Sequence, residues 1–284
     1  MKRKIYKNLW IILFSTPLFL YLFGFTLLPI LSALRLSFME KGTETYTLGN
    51  YFWLFQHFQF NEAVINTITI TILALILELA LGLGIALLFY YLQEKRFVRA
   101  LFLIPLGIPT IVAAANMRYF FDTSGFLNEI LLRLHLIRSP IEWLAGGFLT
   151  LAAIVVSDMW KVTPLIMLIL LAGIERIPKD LFEAAQIDGA SEFNKFRFII
   201  LPLLKPFITM AIIIRGIDTF RIFELPLTLV GGTFKVLSSF AYFEYREFNN
   251  PNTAAAASTI LFLIIAGFMY LYLKNWGKED TARC

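Results

Sequence analysis

The 284-residue chain has one cysteine, Cys284 at its last position, and two histidines, His57 and His135. One thiol permits neither an intrachain disulfide nor a thiolate metal site. Charge is scarce as well: Asp, Glu, Lys and Arg make up 16% of the residues, against roughly 25% in soluble domains. No His-Glu-x-x-His, no Gly-x-Ser-x-Gly and no Gly-x-x-x-x-Gly-Lys-Ser/Thr occurs anywhere. These absences remove the usual hydrolase signatures and the phosphate loop by which a chain would bind ATP itself. No metal-ligand set, catalytic constellation or cofactor pocket of its own is expected. No fixed-period repeat or low-complexity linker interrupts the chain. The net charge of +5 does not point to nucleic acid, because the basic residues form no stripe with interleaved aromatics.

What the chain has instead is hydrophobic length. Apolar residues reach 58% and mean hydropathy is +0.73. A soluble core could not hide so much apolar surface without large exposed patches. A membrane helix needs about 20 predominantly apolar residues, and six such runs stand out, at 10–34, 65–92, 99–121, 147–172, 200–223 and 253–274. The N-terminal basic cluster followed by an apolar run has the order of a signal peptide, but Leu9 to Leu34 is too long and lacks a small-residue cleavage site. It is read as a retained first span. The expected fold is an all-α membrane protein, with residues 1–284 forming a single transmembrane domain of six helices.

Orientation follows from the loops, because positively charged ones stay on the cytoplasmic side. One set carries Lys2, Arg3, Lys4, Lys7, Lys95, Arg96, Arg99, Arg176, Lys179, Lys195, Arg197, Lys205, Lys274, Lys278 and Arg283; the other carries Lys41, Arg133, Arg138, Lys235 and Arg246. Fifteen against five predicts both termini in the cytoplasm. Trp10 and Trp276 near the inner ends, and Trp53 and Trp143 near the outer ends, fit interfacial aromatic belts.

The longest inner connection, 174–206, reads as helix, turn, helix. Pro178 and Asp180 suit a helix start, Gly189 suits a left-handed C-terminal cap, and Ser191 can cap a second short helix. Phe182, Ile187 and Phe193 are apolar points on a polar element that Ala184, Ala185 and Ala190 keep thin. Two readings stand on these residues alone: a knob for a partner's groove, or an interfacial helix whose phenylalanines dip into headgroups.

The string Glu183-Ala184-Ala185 to Gly189, continuing to Leu201-Pro202-Leu203-Leu204-Lys205-Pro206, resembles the EAA loop of binding-protein-dependent ABC import permeases. Its form across 183–191 is similar to the carbohydrate-uptake branch. Further likeness runs through Pro17 to Phe38, Asn66-Thr67, Leu81-Gly82-Leu83-Gly84, Arg99 to Phe121, Trp160 to Pro164, and Asp218-Thr219-Phe220 to Gly231-Gly232. The last of these resembles maltose-type permeases, with Thr233 where proline is common.

The resemblance implies a subunit of a heterodimeric sugar permease, di- or oligosaccharide first, in the cytoplasmic (inner) membrane. Glycerol phosphate or another small polar solute is the alternative cargo. Its partners would be a second permease subunit, two copies of an ATP-binding subunit that hold the ATP and Mg, and an extracellular or periplasmic solute-binding protein. Phe182, Glu183, Ala184, Ala185, Asp188, Gly189 and Phe193 would form the coupling helix that docks into the ATPase. Glu183 alternatively serves only to solubilise the loop.

Ionisable groups at bilayer depth face a cavity, a pathway or a partner by default. Arg215, Asp218 and Arg221 follow one another at i,i+3 spacing and can pair on a helix. Asp218 lies about 18 Å beyond Pro206, past the middle of a ~30 Å core. The cluster suits sugar hydroxyls or an internal ion-pair network, and both readings stay open. Asp158, Lys161 and Trp160 on the fourth span join the candidate pathway, Trp160 as a stacking face. Glu78 is expected to make an interhelical hydrogen bond. Small residues from Ala254 to Ala257 suit either close packing or ligand space. Two rival functions are weighed. A membrane-embedded enzyme lacks its constellation, and an ion-driven carrier would normally show more spans with a repeat between halves.

Overall fold

A computed structural model describes residues 13–92 and 96–276. Lys2, Arg3, Lys4, Lys7, Trp10, Lys95, Lys278, Arg283 and Cys284, together with the side chains of Arg96 and Trp276, lie outside the described residues. Among the described residues every regular element is helical, apart from one isolated antiparallel bridge between Met39 and Tyr46.

Five helices are long and apolar enough to cross a membrane: Leu13–Ser37, Phe58–Leu92, Gly147–Ile174, Glu192–Phe220 and Pro251–Lys274. The predicted run 99–121 is not one of them. It divides into Arg96–Phe102, Ile104–Gly107 and Thr110–Phe121. Pro105 and Pro109 explain the breaks, since proline has no N–H to donate and its ring excludes the preceding turn's carbonyl. Pro109 adopts an extended conformation (ψ 140°), and a fresh helix starts at Thr110.

Proline also shapes two of the long helices. A π-turn at Phe23–Leu27 precedes Pro29, and another at Phe196–Ile200 precedes Pro202. In both cases the widened turn lets the helix pass a residue that cannot continue the i→i−4 ladder. As a result the predicted second helix of the 174–206 loop is not separate. It starts at Glu192 and runs without a break into the helix ending at Phe220. The expected start of that span at 200 therefore falls inside a longer helix.

The chain divides into two compact units. The first takes residues 1–61 and 240–262. Here side-chain amides tie down a short hairpin: Asn50 Nδ2 donates to the carbonyls of Ser37 and Met39, and Asn252 Nδ2 to those of Leu36 and Met39. Lys41 Nζ reaches Asn250 Oδ1 at 2.6 Å. Ala254 to Ala257 are all buried, which makes the small-residue stretch a packing face.

The second unit takes residues 62–239 and 263–284 and holds two apolar cores. One gathers Ile70, Ile154, Leu225, Leu229 and Phe234; the other gathers Phe89, Ile166, Met167, Ile174 and Leu204. The Phe58–Leu92 and Gly147–Ile174 helices approach closely at Gly82, where a Cβ would come within 2.6 Å of Ile166 Cγ2. Only glycine fits that crossing. The crossing holds Glu78, one turn earlier on its helix, beside the helix that carries Asp158.

Candidate functional site

Arg215 is the centre of a buried charge cluster. Its Nε donates to Glu78 Oε2 and its Nη2 to Glu78 Oε1, both at 2.8 Å. Nη2 also donates to Asp158 Oδ2 at 2.7 Å, and Nη1 to Asp218 Oδ2 at 3.3 Å. Four of the five guanidinium N–H groups are thereby used. Glu78 and Arg215 are 0% and 2% exposed, so the charges sit where an unpaired ion would be costly. The expected i,i+3 pairing of Arg215 with Asp218 is present. Glu78, expected to bond between helices, does so with two hydrogen bonds to Arg215.

Asp158, Arg215 and Asp218 line a polar cavity of about 310 Å³, together with Thr110, Lys161, Arg221 and Glu224. Three acids (Asp158, Asp218, Glu224) face three bases (Lys161, Arg215, Arg221), so the charges of this lining cancel. Such a wall offers many hydrogen-bond donors and acceptors without a net formal charge. Five of the six candidate pathway residues therefore meet at one site.

Trp160 is the exception. It lines a separate cavity of about 770 Å³ with Leu81, Phe102, Pro105, Met117, Phe120 and Met159, almost wholly apolar. The helical period explains the split. Residues two apart point about 200° away from each other, whereas Asp158 and Lys161, three apart, share a face.

The floor of the polar cavity comes from the short helix Glu224–Val230, whose first residues Glu224 and Leu225 belong to the lining. Leu225 and Leu229 are buried in the first core. Gly231 ends this helix at φ +69°, a conformation L side chains rarely adopt. The chain then returns to the Phe58–Leu92 helix, where Asn66 Nδ2 donates to the Lys235 carbonyl and Thr67 Oγ1 accepts from Leu237 N. These two contacts give a physical role to the Asn66-Thr67 pair. Ser238 Oγ also bonds to the Ile222 carbonyl.

In the 174–206 segment, the helix Lys179–Ile187 is followed by Gly189 at φ +74° and by Ser191, whose hydroxyl accepts from Asn194 N. Phe182 differs from the expected outward knob. Its ring stands 6.0 Å from that of Tyr90 and packs on the second core. Ile187 at 87% and Phe193 at 65% are exposed, as are Glu183, Ala184 and Asp188, while Ala185 is half-buried. Phe182 thus faces the protein, and Ile187 and Phe193 face away. At the head of the segment Arg99 Nη1 pairs with Glu175 Oε1 at 2.7 Å. Elsewhere, buried Asn128 joins the carbonyls of Thr123 and Ile141 to the Trp143 indole N–H. Nearby, two hydrogen bonds from Ser124 hold the exposed Asp122 carboxyl below its usual range.

The profile of a family described as "Binding-protein-dependent transport system inner membrane component" matches residues 78–276. The chain belongs to that family. The matched stretch contains all four members of the Arg215 cluster and the whole 174–206 segment. Among its relatives is the trehalose/maltose transport system permease protein MalF of Thermococcus litoralis, 40% identical over 189 residues, covering 64% of this chain and 63% of that protein. The chain thus spans less than two thirds of that relative's length. The arabinooligosaccharides transport system permease protein AraP of Bacillus subtilis is 30% identical over 282 residues, covering 94% of this chain and 88% of that protein. The fold is similar to that of a solved bacterial ABC transporter involved in import of the acidic polysaccharide alginate. That likeness has a TM-score of 0.80 at 21% identity, over 96% of this chain and 98% of that one.

Proposed function

We propose that this chain is a permease subunit of an ATP-driven importer and forms half of the pathway for a neutral sugar, a di- or oligosaccharide. The observation that carries the choice of cargo is the charge balance of the polar cavity. Arg215 already faces three carboxylates, and Lys161 and Arg221 share the wall with Asp218 and Glu224. A phosphorylated solute would need surplus positive charge there, and hydroxyl groups would not. The names of the trehalose/maltose and arabinooligosaccharide relatives support the same class.

In this reading the third crossing is made by the broken run 99–121, giving six spans within one permease domain, 1–284, with both termini cytoplasmic. Irregular backbone at membrane depth is tolerated where protein or a water-filled cavity surrounds it. Lys179–Ile187 is the coupling helix. Phe182 anchors it to its own subunit, Glu183, Ala184, Ala185 and Asp188 line its length, Gly189 supplies the bend, and Ile187 with Phe193 enter a cleft of the ATP-binding subunit. The remaining partners are a second permease subunit, two ATPase copies carrying ATP and Mg, and an external solute-binding protein.

Reconstitution of the complete importer in vesicles tests the reading. Binding-protein-dependent ATPase activity and uptake should respond to trehalose, maltose or an arabinooligosaccharide. A response to glycerol phosphate alone would overturn the cargo, and uptake driven by a proton gradient without the ATPase would overturn the class.

A further inference from the structure

We infer that Glu78 is a positioning residue for the polar cavity, acting through Arg215 to fix the plane of its guanidinium and so hold Asp158 and Asp218 on the cavity wall. The inference rests on reading that cavity as the solute site. Glu78 is fully buried and stands outside the lining to which Asp158, Arg215 and Asp218 belong. It grips the Nε and Nη2 edge through two bonds of equal length, 2.8 Å. Such a fork sets both the position and the plane of a guanidinium, which a single bond to a point charge does not. With that edge held, the second Nη2 hydrogen is directed at Asp158 and one Nη1 hydrogen at Asp218.

Charge counting separates positioning from neutralisation. Two of the carboxylates on Arg215, those of Asp158 and Asp218, belong to a lining whose three acids already balance its three bases. A third carboxylate behind the wall adds negative charge to a site that needs none, so its contribution is orientation. The backbone supports this role: Gly82, four residues on from Glu78, closes the crossing onto Ile166 and fixes how far Glu78 stands from the helix bearing Asp158.

The test uses the complete importer in a C284S background, with radiolabelled trehalose as the probe. E78D keeps the charge but draws the carboxylate back by one methylene, and R215K keeps the charge but loses the fork. E78D is expected to lower uptake at saturating loaded binding protein by about tenfold or more, because small misplacements at a site are amplified in rate. In the R215K background it should cost nothing further, since lysine has no plane to orient.

A second readout is independent of the cargo. Thr110→Cys, on the cavity wall, is labelled with anionic and cationic methanethiosulfonates, and E78D should shift their rate ratio by about threefold as Arg215 reorients. Should E78D fail to assemble, E78Q takes its place in both comparisons. The proposal is overturned if the variant stays within about twofold of wild type in both readouts, or if its loss multiplies with that of R215K. If the wild-type complex takes up none of trehalose, maltose and the arabinooligosaccharide, the sugar reading has failed, and the thiol ratio alone decides the role of Glu78.

Discussion

Glu78 and Arg215, 137 positions apart in sequence, are joined by two hydrogen bonds of 2.8 Å between buried side chains. That pair ties the Phe58–Leu92 helix to the Glu192–Phe220 helix, and Asp158 adds Gly147–Ile174. Truncating the shared cation would leave the buried carboxylates of Glu78 and Asp158 without their partner. Arg215→Ala is therefore expected to cost about 3–5 kcal/mol, read as a lower unfolding temperature of the purified chain in detergent. An unchanged unfolding temperature would show that the carboxylates find water in place of the guanidinium.

The Gly82 crossing makes a packing prediction. Gly82→Ala places a methyl 2.6 Å from Ile166 Cγ2 and should destabilise by about 1–3 kcal/mol through overpacking. Ile166→Ala in the same chain should recover part of that loss. A double variant less stable than either single one would contradict the close approach.

Gly189 carries a backbone prediction. At φ +74° with open space where a Cβ would stand, Gly189→Leu forces an L side chain into the left-handed region, a conformational strain of about 1–2 kcal/mol. Membrane insertion should be retained while transport is lost, as measured by fractionation and uptake. Normal uptake by this variant would remove the turn from the coupling mechanism.

The two faces of the Lys179–Ile187 region should separate experimentally. Ile187→Asp with Phe193→Asp alters exposed positions and should abolish co-purification with the ATP-binding subunit at unchanged stability. Phe182→Ala removes an inward contact with Tyr90 and should lower stability instead. The reverse pattern would invert the assignment of faces.

Much of this architecture was legible from hydropathy, since three of the six predicted spans (10–34, 147–172 and 253–274) coincide with long helices to within a few residues, and two more (65–92 and 200–223) overlap helices that start seven and eight residues earlier. The third did not, because window averages count Pro105 and Pro109 as merely neutral while the backbone treats them as stops. Local spacing predicted the Arg215–Asp218 pair, because three residues apart is one helical neighbour. It also contained the separation of Trp160 from Asp158, although grouping by span hid it. Nothing local could join Glu78 to Arg215, because the two lie 137 positions apart on different helices. The inward turn of Phe182 was hidden for the same reason: its partner Tyr90 lies on a different helix.

The unbroken passage from Ser191 to Phe220 has a mechanical consequence. At 1.5 Å per residue Arg215 stands about 35 Å along the axis from the Ser191 cap. A tilt of about five degrees pivoted at that cap would swing the guanidinium sideways by about 3 Å, as long as the hydrogen bond it makes to Asp158. The helix is then a lever arm: a slight rocking of the turn at Gly189 is enough to part the guanidinium from Asp158 at the far end.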